Sequence, residues 1–129
     1  MEDLEICDEP RACHTAHLDN LYFNLIKNGS KIAELRVYDE KRRKYKTNDL
    51  WIFNNRDSES VTLTVIIKKI KIYSSFEDAI IDDEKNCLLP NIDTVDEAVE
   101  IYNSFPGYKE KSETEGVVRF DFILIGQHN

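Results

Sequence analysis

Long apolar runs are missing, and so are the motifs that would name a chemistry outright. No uninterrupted apolar stretch approaches the ~18 residues that a membrane-spanning helix needs, so no membrane role is expected. The opening "MEDLEICDEP" is acidic and lacks the basic-then-apolar layout of a secretory leader. The expected location is therefore intracellular, cytoplasmic or nuclear. Cysteine is limited to Cys7, Cys13 and Cys87, an odd number without framework spacing, which argues against a disulfide scaffold. P-loop, dinucleotide glycine fingerprint and Ser-His-Asp arrangement are all absent, and no cofactor is expected. Cys7, Cys13, His14 and His17 place four potential zinc ligands within 11 residues. Their C-x5-C-H-x2-H spacing matches no common structural zinc pattern. The expectation is a surface segment without metal, with zinc as the alternative.

What is present describes one globular domain. The chain has 129 residues, 41% hydrophobic and 33% charged, enough apolar content for a single core and too much for general disorder. The formal net charge of −8 disfavours binding long duplex DNA, which rests on neutralising phosphates. Cations are nonetheless concentrated. Of 17 Lys and Arg, seven lie between Lys31 and Lys46, and no acid falls between Arg42 and Lys46.

Residues 1–17 show no periodicity and read as a loosely ordered arm, leaving 18–129 as the domain. Leu18, Leu21, Leu25 and Ile26 recur at helical spacing, and Gly29 follows where a helix end favours positive φ. In "KIAELRVY", Ala33, Leu35 and Val37 share one strand face while Ile32, Glu34 and Arg36 share the other. "LWIF" reads as a second strand after an Asn48-Asp49 turn, asparagine tolerating αL well. "SVTLTVIIKKIKIY" reads as a long third strand, bulged or bent. "SSFEDAII" and "TVDEAVEIYNSF" carry helix-start signatures, Thr94 pairing with Glu97 in the second. "GYKEKSETEG" reads as a charged loop, and "VVRFDFILIG" as a closing strand with Val118, Phe120, Phe122 and Leu124 on one face. The order helix, three strands, two helices, strand predicts an α+β fold built on a small curled sheet or barrel.

Two clusters carry the candidate chemistry. In "GSKIAELR", Glu34 and Arg36 stand side by side on one strand face. As a surface ion pair they would contribute at most about 1 kcal/mol. At the mouth of a cleft, the acid would orient the Arg fork or accept from a base, and the Arg would clamp phosphate or a carbonyl. Lys31 joins them only if it precedes the regular alternation, inside the Gly29-Ser30 turn. Desolvated there, it is a candidate general base. The second cluster is "KRRKYK": Lys41, Arg42, Arg43, Lys44 and Tyr45. Tyr38 and Tyr45 flank or interrupt the charges, and stacking on an aromatic contributes ~1–3 kcal/mol per base in single-strand binding. The plain alternative is a solvated hairpin connection.

"LIKNGSKIAELRVYDEKRRKYKTNDLWIF" resembles the ASCH domain family, a branch of the PUA-like superfamily. The likeness rests on Gly29, Lys31, Glu34 and Arg36 in a G-x-K-x-x-E-x-R pattern, then the Lys46-Thr47-Asn48-Asp49 turn, where Asn48 replaces the usual glycine. "IYSSFEDAI" and "GVVRFDFILIG" extend it over residues 18–126. The resemblance implies a small PUA-like β-barrel with flanking helices and a cleft beside the first helix. It implies RNA, single-stranded nucleic acid or a modified nucleoside as partner, with Lys31, Glu34, Arg36, Tyr38 and the basic run as the contact set. Some small ASCH proteins are amidohydrolases acting on N4-acetylcytidine through the motif lysine, a threonine and a glutamate. Lys31 corresponds to that lysine, and Glu34 stands in the threonine's place. These two are the candidate catalytic residues, while the glutamate's place falls near Pro90 and Asn91. A protein-interaction module, docking its basic loop on an acidic partner, is the remaining alternative.

Overall fold

The computed structural model describes residues 11–128. Five strands form one mixed sheet: β1 (Cys13–Leu18), β2 (Ala33–Val37), β3 (Leu50–Asn55), β4 (Ser58–Tyr73) and β5 (Val117–His128). Among the described residues, four helices accompany them: α1 (Asn20–Lys27), α2 (Phe76–Ile81), α3 (Val95–Asn103) and α4 (Tyr108–Glu115). The strand order is β1-β3-β4-β5-β2. β1 pairs with β3 in parallel and every other pairing is antiparallel. The sheet curls into a half-barrel, so the fold is α+β as expected.

Curling has a visible cause. Against β5, the long β4 shifts register between Thr64 and Val65 and again between Ile67 and Lys69, and such bulges bend and twist a strand. The curl encloses an aromatic core of Trp51, Phe53, Phe120 and Phe122 with Leu63, Val65 and Ile67, closed at one end by Phe23 and Ile26 of α1. A second core lies between Ala33, Leu35, Val37 and Val117 and the helical segments, which supply Phe76, Ala79, Leu88, Leu89, Ala98 and Tyr102.

Local signals formed the elements expected of them. Ser75 accepts from the Asp78 backbone N–H and Thr94 from that of Glu97, at 3.0 and 3.2 Å, the N-caps read from sequence. Asn48 has φ 77° and Gly29 φ 87°, both left-handed as their turns require. The Gly29 N–H bonds back to the Ile26 carbonyl and the Lys31 N–H to that of Leu25. The chain thus leaves α1 tightly, and Lys31 falls before β2 begins.

Three expectations are corrected. The expected arm runs to residue 17, but residues 13–17 belong to β1; residues 1–10 of that arm lie outside the described residues. His14, Ala16 and Leu18 turn inward, an alternation hidden by its polar members. Leu18 therefore ends a strand rather than starting the helix stripe, which is Phe23 and Ile26 with Tyr22 and Leu25, while Leu21 is 50% exposed. The charged "GYKEKSETEG" is α4, not a loop. It has no apolar stripe to announce it and buries only Ser112. Gly107 at φ 77° opens it and a Lys109–Glu113 pair one turn apart accompanies it. Finally, Leu124 leaves the inner face beyond Phe122, being substantially exposed.

Candidate functional site

β1 and β2 stand at opposite ends of the strand order, yet they meet across one cleft. The cleft is lined by His17 and Leu18 of β1, Asp19 and Tyr22 at α1, Lys31, Glu34, Leu35 and Arg36 at β2, and Arg56. Leu89, Ile101, Tyr102, Phe105, Pro106 and Tyr108 complete it. It is the open seam of the half-barrel, walled on one side by helices. Its volume is about 180 Å³, below the roughly 300–1,000 Å³ of pockets that take drug-sized ligands.

Register explains the polar wall. Glu34 pairs opposite Phe120 and Arg36 opposite Val118, and residues directly opposite share a face. Both charged side chains therefore point into the aromatic core side of the curl, not to bulk water. Arg36 places its Cζ 5.7 Å from the Trp51 ring centroid, a cation–π distance. Lys31 is 1% exposed and Glu34 6%. Their contacts form one chain. Lys31 Nζ donates to the Leu88 carbonyl at 2.6 Å and lies 3.1 Å from Glu34 Oε1. The same oxygen accepts from the Leu35 N–H at 3.1 Å, and Arg36 Nη2 donates to Glu34 Oε2 at 3.2 Å.

Electrostatics follow from that burial. Desolvation pushes the Lys31 ammonium below the ordinary lysine range, more than neighbouring Glu34 raises it. Burial alone would raise the Glu34 carboxyl, but the charges of Lys31 and Arg36 outweigh it and hold Glu34 below the usual carboxylate range. Desolvation would likewise lower Arg36, but Glu34 and Tyr108 outweigh it, so its pKa is raised. The three formal charges sum to +1. Glu34 is spent on internal partners through both oxygens, whereas Lys31 has used two of its three N–H bonds. The wall therefore offers donors and positive charge.

Tyr102 adds another polar atom. Its ring stacks on Phe76 at 5.0 Å, and its buried hydroxyl has no hydrogen-bond partner among the described residues. Burial, aided by the Glu34 charge, pushes its phenol well above the ordinary range. It stays protonated and available as a donor.

Along the chain, the family model for the ASCH domain matches residues 17–125. This chain belongs to the ASCH domain family. RNA binding is proposed for that family. Among solved structures, the hypothetical protein PH0355 shares 34% identity at a TM-score of 0.77, covering 88% of this chain and 99% of that one. Protein PF0455 from Pyrococcus furiosus shares 27% identity at 0.67, covering 90% and 98%. ASCH from Zymomonas mobilis shares 11% at 0.61, covering 89% and 71%, a likeness of fold. No curated protein matches the chain.

In this ASCH domain the structure brings Lys31, Glu34 and Arg36 together and leaves the other six candidates elsewhere. Tyr45 is 5% exposed, its ring stacked on His14 with centroids 3.7 Å apart; a base has no access to that face. Tyr38 is covered by the Arg43 guanidinium 4.2 Å away. Arg43 also bonds Glu115, and Arg42 lies 5.5 Å from the Tyr45 centroid. Lys41 and Lys44 border a separate depression with Cys13, His14, Thr15, Glu40 and Tyr45. Pro90 and Asn91 do not line the cleft, whose carboxylates are Glu34 and Asp19.

The zinc alternative finds no support in the described part. His14 Nε2 is 2.8 Å from Asp49 Oδ2, and no group of three or more metal-binding side chains is present among the described residues; Cys7 lies outside them. Among the described residues, no helix is long and apolar enough to cross a membrane. Sequence reasoning missed Tyr22, Tyr102 and Tyr108. Tyr102 follows Ala98 at helical spacing, a signal that marks burial and not the cleft.

Proposed function

We propose that the seam cleft binds one unpaired nucleotide of an RNA strand. The observation that carries this reading is the buried Lys31–Glu34–Arg36 chain forming a donor-rich, net positive wall in a cleft otherwise lined by tyrosines and apolar side chains. Such a cleft suits a planar, acceptor-bearing group. Lys31, Arg36 and Tyr102 would donate to base carbonyl or phosphate oxygens, while Glu34 holds the two cations in place. β1 links this cleft to the basic depression. Four residues separate Cys13 from His17, roughly 13 Å at about 3.3 Å per residue, which a few nucleotides span. Lys41 and Lys44 would then meet the backbone without touching the base.

A titration of a labelled single-stranded RNA 10-mer at rising salt tests the proposal. Affinity should fall with salt, and Arg36→Ala should weaken it and reduce the log–log salt slope by about 1. No binding at low salt would end this reading and leave the basic run to an acidic protein partner.

The downward shift of Lys31 favours a second reading, in which the same lysine is a general base toward a modified nucleoside. N4-acetylcytidine incubated with the wild type should then be deacetylated, with activity lost in Lys31→Ala. An inert wild type would remove that substrate.

A further inference from the structure

We propose that Arg119 and Asp83, which lie outside the cleft, are positioning residues that set the placement of Lys31 through the peptide carbonyl of Leu88. The proposal rests on the reading of the cleft as a binding site only for its functional consequence; the mechanical part stands without it.

The connections form one path. Arg119 sits on β5 opposite Leu35, so it occupies the sheet face away from Glu34 and Arg36. Its Nε and Nη2 hold Asp121, the latter at 2.8 Å, leaving Nη1 to donate to Asp83 Oδ1 at 2.9 Å. Asp83, thus oriented, accepts from two successive backbone N–H groups, Cys87 at 3.1 Å and Leu88 at 2.9 Å. Leu88 uses its N–H on Asp83 and its carbonyl on Lys31. The Cys87 carbonyl meanwhile accepts from the Ile32 N–H at 3.3 Å. The segment between α2 and α3 has neither helix nor strand to hold its peptides. The Asp83 carboxylate fixes the 86–87 and 87–88 peptides through the Cys87 and Leu88 N–H groups. The Leu88 carbonyl belongs to the next peptide, 88–89, which is held between that anchored stretch and the buried Leu88 and Leu89 side chains.

That orientation matters because Lys31 is an ammonium with little water to replace a lost partner. With the carbonyl aligned, two N–H bonds are taken by Leu88 and Glu34 and the third is directed elsewhere. If the peptide rotates, the charged form loses an acceptor, and both the direction of the third N–H and the ionisation of Lys31 change. The charged groups facing Lys31 are Glu34 and Arg36 from β2 and Asp83 from the loop; Tyr102 of α3 is across the cleft.

Arg119→Met separates this path from plain electrostatics, because the two give opposite signs. Removing a distant cation raises the Lys31 pKa or leaves it unmoved if charge alone acts. Loss of the oriented carbonyl lowers it. We therefore expect a downward shift of the Lys31 titration, followed by NMR at its Cε and Nζ, and about a tenfold loss of affinity for the RNA 10-mer. Arg119→Lys keeps the charge but not the fork. It serves in place of Arg119→Met should that variant fail to fold, and should give a smaller downward shift. An unchanged or raised Lys31 midpoint in a folded variant overturns the proposal. A lowered midpoint in a protein that binds no RNA supports the strut and rejects the binding reading instead.

Discussion

Glu34→Gln will lower the stability of the fold by about 3–5 kcal/mol, the cost of leaving buried charges without their partner. For a domain of this size that corresponds to a melting temperature lower by roughly 10–15 °C. The substitution keeps the side-chain volume, so the loss reports the charge and not a cavity. Lys31 and Arg36 would then face each other across a neutral amide, whose single oxygen could accept from only one of the two in place of the carboxylate that now serves both.

The pH profile of that loss has two limbs. Glu34 has a folded pKa held below its ordinary 4.5, so its contribution is complete above that range and vanishes as pH falls through the lower folded value. Lys31 has a folded pKa below its ordinary 10.5. Between the two values the unfolded chain binds more protons, so stability rises with pH there. Without Glu34, Lys31 gives up its proton more readily, and the variant should recover part of its deficit on the alkaline side. Urea midpoints for wild type and variant across pH should therefore converge at both ends. A constant deficit below 1 kcal/mol would mean that water reaches the three charges in solution.

Tyr102→Phe should separate binding from folding more sharply than any other change. The hydroxyl is buried without a partner among the described residues, and such a group costs about 1–3 kcal/mol of desolvation. Its removal leaves the Phe76 stack intact, so thermal stability should stay level or rise. Binding of the RNA 10-mer should fall about 10- to 100-fold if the ligand uses this donor. Unchanged affinity would show that the nucleotide does not reach the helical wall, whereas a clear drop in melting temperature would show that the hydroxyl has a role in the fold.

The basic run shows why charge along a chain is a weak guide to a surface. "KRRKYK" holds five cations around one tyrosine, and in sequence they look equally available. Folding divides them. Tyr45 goes into the core against His14 and Trp51, Arg42 and Arg43 lie over tyrosine rings, and Lys41 and Lys44 border a depression. A lysine pointing outward and a tyrosine pointing inward differ by which side of the turn they occupy, and that turn is the 3-10 segment Arg42–Lys44. Its C-cap residue, Tyr45, stacks on His14 of β1, 31 residues upstream.

The sequence by itself determined what a few neighbouring residues can enforce: the capped starts of α2 and α3, the left-handed turns at Gly29 and Asn48, the alternation of β2, and the motif that places the chain in its family. It left Lys31 able to join Glu34 and Arg36 only if it preceded the strand, a condition met by the tight exit from α1. Tertiary structure decided that these charges would be buried. Curling of the sheet folds β1 and β2 toward each other, and pairing with β5 turns Glu34 and Arg36 inward over Trp51. The Leu88 carbonyl, Tyr102 and the Arg119–Asp83 strut arrive from 52 to 88 residues beyond Lys31 along the chain. Local rules reach one helical turn or one strand step, whereas a cleft at a seam exists only after every long-range register has been set.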